Sequence, residues 1–208
     1  IDTTYLHFSG YADTSLAVWD AGLCDVFGVD ITKLPRIVRP HERIGVLTPE
    51  AARRCGLAAG TPVVAGCGDT AASFLACGAT REGVCVDVAG TASVFASTTT
   101  SFQPDRAHGT LACGHAATPG LWHPYAYVNG GGMNLEWFRS EIANGGRERG
   151  RGLMTFDDLN GLAARITPDP GLPLFVPHLG GRVCPSQPAL RGVWAGLGWD
   201  HGIGALYR

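Results

Sequence analysis

Apolar residues in this chain come in short bursts, separated by glycine, proline and acidic positions. Thr61-Pro-Val-Val-Ala65 is a continuous apolar run rich in β-branched residues, the pattern of a strand buried on both faces. Asp69 follows it, and Thr70–Cys77 has helical spacing that ends at Gly78, with Asp69 placed as the N-cap. Gly83–Ala89 and Ala92–Thr98 read as strands on either side of Gly90-Thr91, a hairpin in which the glycine supplies positive φ. Leu111–Ala117 and Trp122–Val128 read as two more strands, turning at Pro119-Gly120.

The flanks follow the same logic. Asp20 caps a helix through Leu23 and Val26-Phe27 that Gly28 closes. Pro35 and Pro40 punctuate an extended connector. Thr48-Pro-Glu-Ala-Ala-Arg53 has the cap, the first-turn proline and the early glutamate of a helix start, and Gly56 ends it. Beyond Gly130-Gly-Gly132, residues Met133–Ile142 place Leu135, Phe138 and Ile142 on one helix face. Gly145–Gly152 is a polar loop and Phe156–Ile166 a helix. Leu174-Phe-Val176 and Val193-Trp-Ala195 are strands across a Gly/Pro-rich loop, and His201–Arg208 begins a further helix. The order is mixed α/β, with no regular βαβ repeat and no internal repeat.

Composition narrows the class. The 208 residues are 45% hydrophobic and 16% charged, enough to build a core, at a net charge of −2. Lys33 is the single lysine, and without a basic stripe nucleic acid is not an expected partner. No apolar run approaches the ~18 residues of a membrane span. The start Ile1-Asp-Thr-Thr is neither a leader nor an ordinary beginning, so the chain reads as a piece of a longer protein. The seven cysteines lie mostly within apolar segments, which predicts buried reduced thiols and a cytoplasmic location. Cys113-Gly-His115 has half the ligands of a metal site, but no second pair has matching spacing, so no metal ligands are assigned.

Two segments carry chemistry. Asp69, at a strand end between Gly66, Gly68 and a helix, is either a helix cap or a general base for a hydroxyl. Gly90-Thr91-Ala92-Ser93 is either a plain turn or a phosphate cradle of backbone N–H groups and hydroxyls. Gly130–Gly132 strengthens the second reading, since N–H groups at a helix start favour an anion; the alternative is a flexible helix entry. A P-loop motif is absent. His178 and Arg182 flank Gly180-Gly181 and either face a cleft or cap a surface loop, the loop being favoured. Trp19, Trp122, Trp137, Trp194 and Trp199 read as core or interface anchors. Arg147, Arg149 and Arg151 read as a solvated loop.

At these residues the chain resembles the FGGY carbohydrate kinases. The likeness runs through Leu47-Thr-Pro-Glu-Ala-Ala52, Gly60-Thr-Pro-Val-Val-Ala-Gly-Cys-Gly-Asp-Thr70, Gly90-Thr91, Gly132 with Trp137-Phe-Arg139, and Phe175-Val-Pro-His-Leu-Gly-Gly-Arg-Val-Cys-Pro185 with Arg191-Gly192 and His201–Arg208. It implies the α/β, ribonuclease-H-like fold of the actin/hexokinase/Hsp70 ATPase superfamily. Residues 1–45 would end the N-terminal sugar-binding domain and crossover, and residues 46–208 would begin the C-terminal ATPase-like domain. It also implies ATP-dependent phosphorylation of a sugar or polyol, a ketose such as xylulose being favoured, with ATP and Mg²⁺ as cofactors. Asp69 falls on the family's catalytic aspartate, Gly90, Thr91, Gly131 and Gly132 on its nucleotide-phosphate contacts, and Asp13 near its sugar contacts. Glu136 stands where related kinases vary. The segment from Asp13 to Trp19 is shorter than the hairpin of typical members. The Asp-x-Gly-Thr phosphate turn of the first domain is absent, and the adenine-holding segment would lie beyond Arg208, so the isolated piece is expected to be inactive. A homodimer is the candidate assembly. The competing reading is a catalytically inactive nucleotide-binding or regulatory member of the same superfamily.

Overall fold

Asp2 caps the first element. Its carboxylate accepts the Thr4 amide at 2.9 Å and the Thr4 hydroxyl, and Thr3–Phe8 winds as a 3-10 helix that buries Leu6 completely. In the computed structural model, which describes residues 1–147, 150 and 152–208, this helix belongs to the first of two units. That unit comprises Ile1–Val86 and Phe95–Tyr125; the second comprises Asp87–Val94 and Ala126–Arg208. The expected boundary near residue 45 falls inside the first unit.

In the first unit, β1 (Ala12–Asp13) and β2 (Val18–Trp19) form a short antiparallel hairpin. The helix α1 (Ala21–Val26) starts, as expected, at Asp20, whose carboxylate accepts the Leu23 amide at 2.9 Å. The connector is not wholly extended: Ile31–Lys33 is a 3-10 turn and Arg43–Val46 is a strand, β3. The helix α2 (Pro49–Cys55) has its Thr48 cap, and Gly56 ends it at φ 69°.

The apolar run at Thr61 is a correction. Its strand β4 (Pro62–Val64) pairs with β3 in a two-stranded ribbon, and Val64 is 54% exposed. A continuous apolar run marks double-sided burial only where layers cover both faces, and among the described residues this ribbon is not so covered. A second correction concerns the helix α3 (Asp69–Ala76). Its cap position is Gly68 and Asp69 is the first helical residue, so the expected side-chain cap does not form.

The strands β5 (Cys85–Ala89), β6 (Ser93–Ser97), β7 (Ala112–His115) and β8 (Trp122–Val128) form one sheet in the order β5-β6-β8-β7. β7 and β8 are antiparallel, with Ala112 opposite Tyr125 and His115 opposite Trp122. Phe74, 2% exposed, meets the buried His123 ring edge-on at 4.9 Å, which seats α3 in the core of the first unit.

In the second unit, α4 (Gly131–Trp137) passes into a π-helix at Phe138–Ala143, so the expected single α-helix is not continuous. Of the expected apolar face only Phe138 is buried; Leu135 and Ile142 stay more than a third exposed. The wider π turn breaks the 3.6-residue register on which that face relied. The helix α5 (Phe156–Ala163) opens with a reciprocal Thr155–Asp158 capping box. β9 (Leu174–Val176) pairs antiparallel with β10 (Val193–Ala195), and α6 (Ile203–Tyr207) lies against α5. Phe175 stacks on Trp194 at 4.4 Å, with Phe138 and Tyr207 beside them. Trp199 is fully exposed and anchors nothing among the described residues.

The thiols also depart from expectation. Cys24 and Cys113 are buried, but Cys55, Cys77 and Cys85 are exposed. No described helix is long and apolar enough to cross a membrane.

Candidate active site

Asp69 sits where β4 hands over to α3. The chain leaves β4, turns at Gly66 with φ 77°, and reaches Gly68 in extended geometry. Three contacts fix this turn. The Gly68 amide donates to the Thr4 hydroxyl at 2.9 Å, the Gly66 amide donates to the Pro40 carbonyl at 2.9 Å, and the Tyr5 ring lies against Gly68. A Cβ at Gly68 would stand 2.7 Å from Tyr5 Cδ2, so any side chain there would have to displace the ring. Asp69 itself is exposed, and one carboxylate oxygen accepts the Thr70 amide at 2.7 Å. The other accepts no hydrogen bond among the described residues.

Beside Asp69 lies a narrow cavity of about 20 Å³, lined by Thr4, His7, Thr70, His115, His123 and Tyr125 among others. Sequence reasoning passed over His7 and His123 and took His115 only as half of a metal site beside Cys113; the three share no motif. His7 Nε2 is 2.8 Å from the Tyr125 hydroxyl. Burial, and then the neighbouring His115, hold His7 down at about 4, so the ring is neutral near neutral pH. Burial also lowers His115 and His123. The His115 Nε2 is 2.8 Å from the Thr14 carbonyl, which can only accept, so that nitrogen carries the proton.

Asp13 ends β1, and its carboxylate accepts Ser15 Oγ at 2.6 Å and the Leu16 amide at 3.0 Å. These bonds hold its carboxyl below the usual range. One oxygen is thus committed to closing its own hairpin.

The second unit carries the Gly90-Thr91 turn. Gly90 is not at positive φ, contrary to the hairpin expectation; its amide donates to Ala92 O at 2.8 Å. The glycines at the start of α4 are explained by closeness. Gly132 N donates to Gly90 O at 2.7 Å and Met133 N to Thr91 O at 3.4 Å. A Cβ on Gly132 would lie 2.8 Å from Gly90 O, and one on Gly131 would lie 3.0 Å from Ala92 O. These two helix-start amides are therefore engaged by the turn, and the reading of Gly130–Gly132 as a free anion site or a flexible entry gives way to close backbone packing. The same bonds direct the two turn carbonyls toward the helix and leave Thr91 exposed.

The remaining candidates separate. Among the described residues no group of three His, Cys, Asp or Glu side chains could hold a metal. His178 and Arg182 are half-buried, with His178 Nδ1 and Arg182 Nε buried and without partners among the described residues, so they are not a plain surface loop. Glu136 pairs with Arg139 on α4's exposed side. Arg147 donates to the Asn144 carbonyl at 3.0 Å; Arg149 and Arg151 lie outside the described residues.

Residues 1–76 match the FGGY family of carbohydrate kinases, N-terminal domain. The chain is 29% identical over 204 residues to a gluconokinase of Bacillus subtilis, covering 97% of this chain and 39% of that one. It is 26% identical over 205 residues to a xylulose kinase of Lactococcus lactis, covering 95% and 38%. The crystal structure of xylulose kinase from Rhodospirillum rubrum superposes with a TM-score of 0.83 at 26% identity, over 100% of this chain and 40% of that one. The fold is therefore the α/β fold of the sugar kinases, of the actin/hexokinase/Hsp70 type. Sequence and structure together make the chain similar to the FGGY family of carbohydrate kinases, and it spans about two fifths of the length of the relatives it matches.

Proposed function

We propose that the protein containing this chain transfers phosphate from ATP to a hydroxyl of a sugar or polyol, a ketose such as xylulose being favoured, with Asp69 as the general base. The observation that carries this reading is the placement of Asp69. It is an exposed carboxylate on a turn held by Thr4 and Tyr5, with one oxygen tied to Thr70 and the other accepting no hydrogen bond among the described residues. A base so held can take the hydroxyl proton as the oxygen attacks, without reorganising its own backbone.

Gly90 and Thr91 are the proposed nucleotide-phosphate contact, with Gly131 and Gly132 behind them. The turn suits an anion because its carbonyls bond to the Gly132 and Met133 amides rather than facing outward. Thr91 then offers a hydroxyl donor. Mg²⁺ bound with ATP would neutralise phosphate charge during transfer. Asp13 is a proposed sugar contact through its second oxygen. Residues 1–45 would close the sugar-binding domain and residues 46–208 begin the ATPase-like one. We place the protein in the cytoplasm, acting on small molecules rather than nucleic acid or membrane, with a homodimer as its candidate assembly.

The test is Asp69→Ala in the longest natural polypeptide carrying this sequence, assayed with ATP against ketoses, polyols and aldonates. The expected result is a loss of roughly 10²- to 10⁴-fold in turnover. Unchanged phosphorylation would overturn the mechanism. ATP binding with no transfer to any acceptor would favour an inactive nucleotide-binding member instead. The 208-residue piece alone is expected to show no turnover.

A further inference from the structure

We propose that Thr4 is a positioning residue for Asp69, acting through a relay that runs from Asp2 through the Thr4 hydroxyl to the Gly68 amide. This inference rests on the reading of Asp69 as the base. A threonine hydroxyl has one proton and two lone pairs. The proton goes to the Asp2 carboxylate, which also accepts the Thr4 amide. A lone pair is then left to accept the Gly68 amide at 2.9 Å, across 64 residues. Thr4 is 4% exposed, so water does not replace this bond at little cost.

The relay acts at the one place where α3 lacks a side-chain cap. Gly68 is the cap residue and offers no side chain, so the start of the helix is set from outside it. Thr4 holds the Gly68 amide while the adjacent Tyr5 ring closes the space above Gly68. Asp69 is the next residue, and the direction of its Cα–Cβ bond follows from where the helix begins. The Asp2 carboxylate makes the bond to Thr4 charge-assisted and polarises the hydroxyl toward Gly68. Thr4 touches no reacting atom in this scheme; it aims the group that does.

The experiment compares Thr4→Val, Thr4→Ser, Asp2→Asn and Asp69→Asn in the longest natural polypeptide carrying the sequence. The assay is steady-state phosphorylation of the best acceptor, alongside thermal unfolding. Thr4→Val keeps the shape and removes the hydroxyl. It is expected to lower kcat by roughly 10- to 100-fold, with KM for ATP and acceptor within about threefold of the parent. Thr4→Ser restores most of kcat, and Asp2→Asn loses a few-fold. A merely structural role would lower the unfolding temperature and leave kcat of the folded fraction intact, and that result overturns the proposal. Should Thr4→Val not fold, Asp2→Asn carries the test, and parental kcat in it has the same force. If Asp69→Asn is as active as the parent, the base reading falls first and the relay loses its object. If Asp69→Asn is dead while Thr4→Val is fully active, only the relay is wrong.

Discussion

His7 Nε2 and the Tyr125 hydroxyl meet at 2.8 Å across 118 residues and join the first 3-10 helix to β8 beside Asp69. The bond matters more than its length suggests, because the other ring nitrogen of His7 is buried against Gly114 with no partner among the described residues. Tyr125→Phe would leave the ring with neither nitrogen satisfied. A loss of about 1–2 kcal/mol in unfolding free energy is expected, read by urea denaturation.

The same ring makes stability depend on pH. His7 titrates at about 4 in the folded chain, below its unfolded value of 6.5. Between those values the unfolded chain holds the proton that the folded chain refuses. Stability is therefore complete above about pH 6.5 and falls as pH drops toward 4, by an amount on the order of 3 kcal/mol from this group. His115 and His123 add in the same direction. Replacing His7 with Phe should flatten the slope between pH 4 and 6.5 in unfolding measured against pH, and an unaltered slope would show that other groups carry it.

Gly68 and Tyr5 should behave as a coupled pair. Gly68→Ala forces a methyl to 2.7 Å from the Tyr5 ring and is expected to cost about 1–3 kcal/mol. Adding Tyr5→Ala removes the obstacle, so the double variant should be more stable than the sum of the single losses predicts. A strictly additive cycle, measured by chemical denaturation, would mean the turn yields without touching the ring.

Gly132→Ala pushes a methyl to 2.8 Å from the Gly90 carbonyl and breaks the seam between the turn and α4. About 1–3 kcal/mol of stability should be lost. ATP affinity, measured by calorimetry on the longer polypeptide, should fall with it. Affinity at the parental level would separate the turn from nucleotide binding.

Asn144 is 1% exposed and grips Met154 twice, accepting its amide at 2.7 Å and donating to its carbonyl at 3.1 Å. Asn144→Leu leaves both backbone groups without partners. A loss of about 2–4 kcal/mol is expected in equilibrium unfolding, well beyond that of Arg147→Ala nearby.

Local order was legible where one residue type forces one geometry. Thr48 with Pro49 started α2, Asp20 started α1, and the alternation about Pro119-Gly120 marked β7 and β8. Legibility failed where partners lie far away in sequence. β3 reads as a connector in the sequence because Arg43–Val46 is short, contains a glycine and is ordered by pairing with β4. Asp69 was visible as a candidate base, while Thr4, Tyr5 and His7, which surround it, carry no motif.

The sequence by itself determined most helix starts and strand segments and marked Asp69 and the Gly90-Thr91 turn as the candidates for chemistry, because capping, glycine placement and apolar period act over a few residues. Tertiary structure alone decided how those groups are held. Thr4 reaches Gly68 across 64 residues, and His7 finds Tyr125 across 118. Gly132 closes on Gly90 with no room for a methyl. Such contacts depend on packing distance and on satisfying buried polar groups, and neither is encoded within a local window of sequence.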